Sequence, residues 1–330
     1  MHTLGTYDLM VLAVGAICFG FYLLIKGGDW AIDGAIYFAE KAGMSKLFVG
    51  ATILAFGTSI PELFASVNAN LSGFPGIALG NVIGSNIANI LLVLGATAII
   101  YPVVCKPKEI LADVSMMILA SIALYFSMQL DIITRSMGIG MFAVLVCFVV
   151  YQYRASLQSS TDTAFNMDPQ QVEAQEQEAA TLGSSRNAIL MLLFGFGALA
   201  VGSELLVKGA VTIGTAIGVP EAIIGITVVA FGTSLPELAT CIIAAAKKHT
   251  DMLVGNIIGS NVFNILSIVG ITAMIKPISV DPALTGISLW VMAGSAAFIA
   301  AWLLAGLTLR RPLGVILVMA YVGFIGIQYV

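Results

Sequence analysis

A short segment that begins at Gly57, GTSIPE, places three oxygen-bearing side chains around a proline. Thr58 and Glu62 lie four residues apart, so in a helix they share one face, and Ser59 adjoins them. Pro61 has no N–H to donate, and it therefore frees carbonyl oxygens of the preceding helical turn. Carboxylate, hydroxyl and carbonyl oxygens are the hard ligands that suit calcium and sodium. The segment predicts a cation site inside an interrupted helix.

The same segment returns in the second half of the chain as GTSLPE, with Thr233, Ser234 and Glu237 in the equivalent positions. Residues 27–102 align with residues 202–277 without a gap, and the alignment also pairs GNVIGSNIANIL with GNIIGSNVFNIL. Asparagine and serine recur in these two segments at a spacing that puts their oxygens on one helix face. The residues are Asn81, Ser85 and Asn89 in the first segment and Asn256, Ser260 and Asn264 in the second.

The composition shows what surrounds these motifs. Hydrophobic residues make up 59% of the 330 residues and charged residues 10%, and the mean hydropathy is +1.02; a soluble domain has about 25% charged residues. This composition excludes a soluble enzyme, a secreted disulfide-rich scaffold and a nucleic-acid-binding protein. Apolar runs of this length must be helices in a bilayer, so the predicted fold class is an all-α polytopic membrane protein. Ten transmembrane helices are predicted, at 9–26, 46–70, 77–101, 112–130, 137–153, 188–207, 222–246, 252–275, 284–305 and 311–329.

A polar segment separates the two halves. Residues 154–187 are rich in glutamine, serine, threonine and acidic residues, which predicts a flexible acidic linker. The predicted domains are a first five-helix repeat at 1–153, this linker, and a second five-helix repeat at 188–330. Because five is odd, the second repeat enters the membrane inverted. Inverted repeats underlie many secondary transporters, which bind their substrate at mid-membrane between the repeats, so transport is the leading prediction.

Lysine and arginine orient these helices. One set of alternate loops and flanks carries Lys26, Lys41, Lys46, Lys106, Lys108, Arg154, Arg186, Lys247, Lys248, Arg310 and Arg311. The other set carries Arg135, Lys208 and Lys276. Because basic residues are retained on the cytoplasmic side, the linker is predicted to be cytoplasmic and both termini outside, in a multi-pass protein of the cell (inner) membrane.

The charge balance of the four motif-bearing helices points to a bound cation. No lysine, arginine or histidine falls in their central stretches, so Glu62 and Glu237 have no basic partner. A charge within the membrane costs at least about 2.5–3.5 kcal/mol, and one divalent cation would balance both carboxylates. Simpler explanations cover single features: prolines kink helices, hydroxyls bond to their own helix, and the GxxxG pairs that begin at Gly80 and Gly255 pack helices. None accounts for two intramembrane glutamates.

These paired motifs resemble the calcium/cation antiporter superfamily, and most closely its prokaryotic sodium/calcium exchanger branch. The resemblance covers essentially the whole chain. It implies four cation sites at the centre of the membrane, and it implies that spans 1 and 6 slide against a core of spans 2, 3, 7 and 8. It implies calcium binding by Glu62, Glu237 and the carbonyls of Thr58 and Thr233. It implies sodium binding by Ser59, Ser85, Asn89, Ser234, Ser260 and Asn264 and by the carbonyls of Ala55 and Ala230.

One position departs from the family pattern. Members of this branch often have aspartate where this chain has Asn264, which leaves the coupling ion and the stoichiometry open. The predicted function is exchange of calcium for sodium by alternating access, with a calcium/proton or potassium-dependent exchanger as the alternative and a cation channel behind it. An intramembrane enzyme is disfavoured because the sequence has neither HExxH nor GxSxG. The predicted partners are calcium, sodium and the lipid bilayer, with no cofactor, nucleic acid or obligatory protein partner.

Overall fold

The computed structural model describes residues 6–165, 185–218, 230–280 and 286–327. Within these ranges the chain is almost entirely helical, and its two strands are each two residues long. The helices are α1 (Thr6–Lys41), α2 (Lys46–Thr58), α3 (Ile60–Leu71), α4 (Pro75–Ile100), α5 (Pro107–Ser127), α6 (Arg135–Phe165), α7 (Ser185–Ala216), α8 (Ala230–Thr233), α9 (Leu235–Ala246), α10 (Thr250–Ile275), α11 (Ile287–Leu304) and α12 (Arg311–Ile327). The strands are β1 (Ile132–Ile133) and β2 (Ile278–Ser279).

The helices fall at the positions of the predicted spans. Of the residues described, seven helices are long and apolar enough to cross a membrane, and the bent pair of α2 and α3 makes an eighth. The shorter apolar helices α9 and α12 lie where the seventh and tenth spans are predicted. The beginning of the seventh span, within residues 219–229, lies outside the described residues. The prediction of an all-α polytopic membrane protein is confirmed.

The first helix is longer than predicted. The sequence places its end at residue 26, but α1 continues to Lys41. Hydropathy falls after Lys26 because Asp29 and Asp33 follow, yet these two carboxylates pair with the ammonium group of Lys247, at 3.2 and 2.7 Å. The charges therefore end the apolar run without ending the helix.

The predicted linker also begins later than expected. The sequence places its start at residue 154, but α6 remains helical to Phe165, and α7 already begins at Ser185. The first glycine or proline after Arg154 is Pro169, so nothing in the local sequence breaks the helix where the hydropathy drops. The central residues of the predicted linker, 166–184, lie outside the described part of the chain.

Helices α1 and α7 are antiparallel and touch backbone to backbone. Glycines seven residues apart line both helices, and Gly20 faces Gly202 while Gly27 faces Gly195. A Cβ atom at Gly27 would lie 2.8 Å from the carbonyl oxygen of Gly195, closer than real Cβ contacts allow. Small residues let membrane helices approach this closely and gain van der Waals contact along their length. The two helices therefore form one tightly packed pair.

Helices α4 and α10 form the buried centre of the protein. In their apolar 18-residue stretches, 72% and 83% of the residues are buried inside the protein, against 17% in that of α1. Glycine packing secures α10 against α2, because a Cβ at Gly255 or Gly259 would lie 2.3 Å from a backbone oxygen of Leu47 or Ala51. The packing interpretation thus holds for the second GxxxG pair. It is wrong for Gly84, where a Cβ would meet no atom within 4 Å.

Short backbone pairings connect the two halves. Strand β1 pairs antiparallel with β2, so that Ile133 lies opposite Ile278. An isolated bridge joins Val103 to Leu309. Val103 and Ile278 are equivalent positions of the two repeats, so the pairings follow the internal symmetry that the sequence repeat predicts.

Candidate functional site

The two proline motifs form two matching interruptions. The axis bends by 44° between α2 and α3, and Ser59 at the break has φ −87° and ψ 4°. Ser234, before α9, has nearly the same angles, φ −88° and ψ 5°. Pro61 and Pro236 follow at the start of the next helix, where a missing N–H costs no hydrogen bond. The interruption predicted from proline chemistry is present in both halves.

Each interruption places a glutamate in the first turn of a buried helix. Glu62 lies in the first turn of α3 and Glu237 in the first turn of α9, and each is only 1% exposed. The amino-terminal end of a helix carries partial positive charge, which favours a carboxylate there. The end of its own helix therefore favours the charged form of each side chain.

The two halves meet at these glutamates. The hydroxyl of Ser59 donates a hydrogen bond of 3.1 Å to Oε1 of Glu237, and the hydroxyl of Thr58 also lies within reach of that carboxylate. Glu62 and Glu237 are close enough to repel each other electrostatically. Folding therefore brings together residues that are far apart in the chain, as the repeat predicts.

Many oxygens on the helices that carry these carboxylates, or pack against those helices, are buried without a hydrogen-bond partner in the described structure. Buried polar atoms are almost always hydrogen-bonded, and exceptions require an explanation. Within the described residues, the following atoms have no hydrogen-bond partner: Oε1 and Oε2 of Glu62, Oε2 of Glu237, Oγ of Ser85, Ser234 and Ser260, Oδ1 of Asn89, and both amide atoms of Asn264. All of these residues are predicted ligands; Oδ1 of Asn86 and Oδ1 of Asn256, which are not, are also buried and unpaired among the described residues. Orphaned oxygens of this kind are what a dehydrated cation requires.

Asn89 and Asn264 lie where helices α4 and α10 change from α-helical to π-helical geometry. A π-helical turn begins at Asn89 and ends at Val93, and another runs from Asn264 to Val269. Such turns are rare and frequently occur at functional sites. A third, Gly50–Leu54, ends immediately before Ala55. The hydropathy pattern, which gives continuous helices here, contains no signal for these turns.

The predicted carbonyl ligands lie at the ends of two short helical turns, and at least one of them already accepts hydrogen bonds. The carbonyl of Ala55 accepts the N–H of Ser59 at 3.1 Å and the hydroxyl of Thr58 at 3.4 Å, so it is already bonded. Thr58 is buried at the carboxyl end of α2. Ala230 and Thr233 are the first and last residues of α8, the equivalent turn in the second half.

Asn81 and Asn256, which share the asparagine spacing, have a different environment. Asn81 donates its amide hydrogens to the carbonyl of Glu62, at 3.2 Å, and to the hydroxyl of Ser66, at 2.9 Å. Asn256 donates to the hydroxyl of Thr240 at 3.2 Å. The two amides therefore connect α4 to α3 and α10 to α9, the helices that carry the glutamates. Their repeat-related spacing signals a shared role but does not distinguish a supporting residue from a ligand.

Sequence reasoning missed two further buried asparagines, Asn86 and Asn261. Asn261 accepts a hydrogen bond from the amide of Asn89, and Asn86 donates to its own helix. Each lies three residues before Asn89 or Asn264 in the same repeated segment, and this spacing was the available signal.

The charges are arranged as the sequence predicts. The ion pairs found among the described residues lie elsewhere, and none involves Glu62 or Glu237. The described residues also contain no group of three or more histidine, cysteine, aspartate or glutamate side chains that could hold a metal ion. The site instead combines two carboxylates with neutral hydroxyl, amide and carbonyl oxygens, the donor set of hard cations.

Buried oxygen ligands at the junction of two inverted helical repeats are typical of secondary transporters. The family model "Sodium/calcium exchanger protein" matches this chain over residues 12–154 and again over residues 187–330. The chain therefore belongs to the sodium/calcium exchanger family, which is a family of transporters and not of enzymes.

Individual relatives match over nearly the whole chain. A relative from Alkalimonas amylolytica named "Putative antiporter CaxA" is 36% identical, over 96% of this chain and 98% of its own. The sodium/calcium exchanger MaX1 of Methanosarcina acetivorans is 27% identical, over 98% and 99%. A solved structure of the sodium-calcium exchanger NCX_Mj, soaked with 2.5 mM Na+ and 0.1 mM Ca2+, superposes with a TM-score of 0.78 at 28% identity, covering 96% and 98%.

Proposed function

We propose that this protein exchanges calcium for sodium across the membrane, with the cations bound between the two repeats. The observation that carries the proposal is Glu62: both of its carboxylate oxygens are buried without a hydrogen-bond partner in the described structure, beside a second buried carboxylate. Two such charges in a membrane require compensation. One calcium ion or two sodium ions compensate them equally, so the two substrates compete for one pair of charges.

We assign a separate set of oxygen ligands to each cation. Calcium binds Glu62 and Glu237 together with the carbonyls of Thr58 and Thr233. Sodium binds the orphaned oxygens of Ser85, Asn89, Ser234, Ser260 and Asn264, together with Ser59 and the carbonyls of Ala55 and Ala230. Ala55 already accepts two hydrogen bonds, but the one from Thr58 is long at 3.4 Å. A hydroxyl rotates freely about its C–O bond, so sodium would displace only this weaker bond.

The close pair of α1 and α7 supports alternating access. Backbone contact along both helices favours movement of the pair as one body, because separating them would lose contact over their whole length. The proposed motion is sliding of this pair against the core of α2, α3, α4, α9 and α10, which opens the site to one side of the membrane at a time.

We also propose that both termini lie outside and that the linker between the repeats 1–153 and 188–330 is cytoplasmic, in the cell membrane. The support is the uneven distribution of lysine and arginine. A single cysteine at position 159 (Ser159→Cys), in a variant lacking Cys18, Cys105, Cys147 and Cys241, tests this. Membrane-impermeant maleimide should label it only after the cytoplasmic side is exposed, and labelling in intact cells would reverse the orientation.

Calcium/proton exchange is the second candidate, and Asn264 favours it. The site has two carboxylates and no third acid at this position, and a proton on each glutamate neutralises the site without any sodium. Calcium flux into proteoliposomes, with sodium, potassium or proton gradients imposed one at a time, separates the candidates. Flux driven by sodium at equal pH supports the proposal, whereas flux driven only by a pH gradient overturns it. Sodium-driven flux that also requires potassium would indicate the potassium-dependent exchanger. Flux that none of the three gradients drives and that does not saturate with calcium would indicate a channel.

A further inference from the structure

Three buried side chains lie in a row next to the proposed cation site. Asn89 donates its amide hydrogen to Oδ1 of Asn261, at 3.3 Å. Asn261 donates its own amide hydrogen to the sulfur of Met117, at 3.6 Å. The three residues are each 1% exposed and come from α4, α10 and α5. We call this row the Met117 chain.

The chemistry of the row fixes its direction. A thioether sulfur accepts hydrogen bonds and cannot donate them. Asn261 therefore turns its NH2 group toward Met117 and its carbonyl oxygen toward Asn89. This carbonyl in turn accepts only the NH2 group of Asn89, so Oδ1 of Asn89 faces away from Asn261. That oxygen is buried and has no hydrogen-bond partner among the described residues.

The internal symmetry relates this row to a second set of the same three residue types, which do not form a row. The equivalents of Met117, Asn261 and Asn89 in this second set are Met292, Asn86 and Asn264. Asn86 donates to the carbonyl of Val82 in its own helix, at 2.7 Å. Neither amide atom of Asn264 is hydrogen-bonded in the part of the chain that the structure describes. The amide of Asn264 is therefore not oriented by a protein partner as that of Asn89 is.

We propose that Asn261 is a positioning residue, which holds Asn89 with its carbonyl oxygen available to the transported cation. The inference rests on the proposed function, because it assigns Asn89 as a ligand of sodium or calcium. Without Asn261, the amide of Asn89 could turn its NH2 group toward the site, where it would repel a cation. The main effect of losing Asn261 is then on cation affinity and not on the rate of the loaded carrier.

The test is a double-mutant cycle in the full-length protein, reconstituted in proteoliposomes, with uptake of radioactive calcium as the readout. Asn261→Leu should raise the half-saturating calcium or sodium concentration about three- to tenfold, the value of one hydrogen bond, while the maximal rate changes less. Asn86→Leu, the matched control in the other repeat, should stay within about twofold, because it removes a bond within one helix. In an Asn89→Leu background, Asn261→Leu should have no further effect.

Other results would overturn the assignment. Equal effects of Asn261→Leu and Asn86→Leu, or additive effects of Asn261→Leu and Asn89→Leu, would show that Asn261 does not act through Asn89. If Asn261→Leu does not fold, Met117→Leu carries the test, since it preserves core volume and removes only the sulfur acceptor; it should shift half-saturation in the same direction, and no shift would contradict the chain. Parent protein that moves no calcium would instead refute the proposed function, so the two failures are distinguishable.

Discussion

The hydroxyl of Ser59 lies 3.1 Å from Oε1 of Glu237, so the bend of one repeat donates a hydrogen bond to the carboxylate of the other. The equivalent pair does not repeat this contact. The hydroxyl of Ser234 and both carboxylate oxygens of Glu62 have no hydrogen-bond partner within the described residues. A hydrogen bond from the other repeat therefore stabilises the carboxylate of Glu237, whereas the carboxylate of Glu62 has no such donor and is left for a bound cation or a proton to neutralise.

Removing the hydroxyl of Ser59 should weaken sodium coupling. Ser59→Ala removes a hydrogen bond to a charged group, worth about 1.5–3 kcal/mol, and it also removes a proposed sodium ligand. We expect the sodium concentration for half-maximal calcium exchange to rise by about tenfold or more. Ser59→Thr keeps the hydroxyl and should remain close to the parent. Indistinguishable sodium curves for the alanine and threonine variants would show that this hydroxyl does not serve the site.

Adding a third acid at Asn264 should make transport sensitive to acid. Asn264→Asp adds a third carboxylate to the proposed site, and like charges at close range favour protonation of one of them. Protons should then compete with calcium at lower proton concentrations, so calcium transport should fall off at higher pH than in the parent. Exchange rate and charge moved per calcium, measured from about pH 6 to about pH 9, check this. Superimposable profiles would mean that residue 264 does not face the ions.

Close packing of α1 against α7 should make Gly27 intolerant of a side chain. Gly27→Val places a Cβ 2.8 Å from the carbonyl oxygen of Gly195 and 2.9 Å from the backbone nitrogen of Leu199. We expect a loss of stability of about 1–3 kcal/mol. Gly15→Val is the matched control on the same helix, since its Cβ would meet no atom within 4 Å. Thermal unfolding in detergent should show a clearly lower Tm for Gly27→Val, and equal Tm values would contradict the helix contact.

The ion pairs of Lys247 with α1 should contribute more to stability than the exposed Lys208–Glu204 pair of α7, the counterpart of α1 in the second repeat. Lys247 pairs with Asp29 and Asp33 across the contact between α1 and α9, and all three side chains are partly buried. Lys247→Met leaves two partly buried carboxylates without their cation, at a cost of about 1–2 kcal/mol. Lys208→Met disrupts the exposed pair with Glu204 and should cost less than about 0.5 kcal/mol. Equal Tm values for the two variants, measured at low salt, would contradict this ranking.

The sequence predicted those parts of the site that follow from local chemistry. Pro61 and Pro236 disrupt the preceding helical turn, and the interruptions at Ser59 and Ser234 lie two residues before them. Glu62 stood out because an acid in an apolar run has few structural roles. The extent of α1 could not be read in this way, because the partner of Asp33 is Lys247, on another helix and far along the chain.

The role of Asn261 was equally inaccessible from the sequence. A methionine such as Met117 in an apolar helix reads as a packing residue, and nothing local indicates that its sulfur accepts a hydrogen bond from Asn261. The repeat even misleads here, since equivalent residues in the two halves bond differently. Internal symmetry predicts which residues are present in each half but not which contacts a given conformation assembles.

Equilibrium binding of calcium to the purified protein in sodium-free detergent solution tests the central claim most directly, with Glu62→Gln compared to the parent. Glutamine preserves the shape of the side chain and removes its charge. It should weaken calcium binding by about 100-fold or more, since breaking a buried charge pair costs about 3–5 kcal/mol. Sodium should displace calcium from the parent. Calcium affinity of Glu62→Gln equal to that of the parent, in a correctly folded sample, would contradict the assignment of the buried carboxylates as the calcium site.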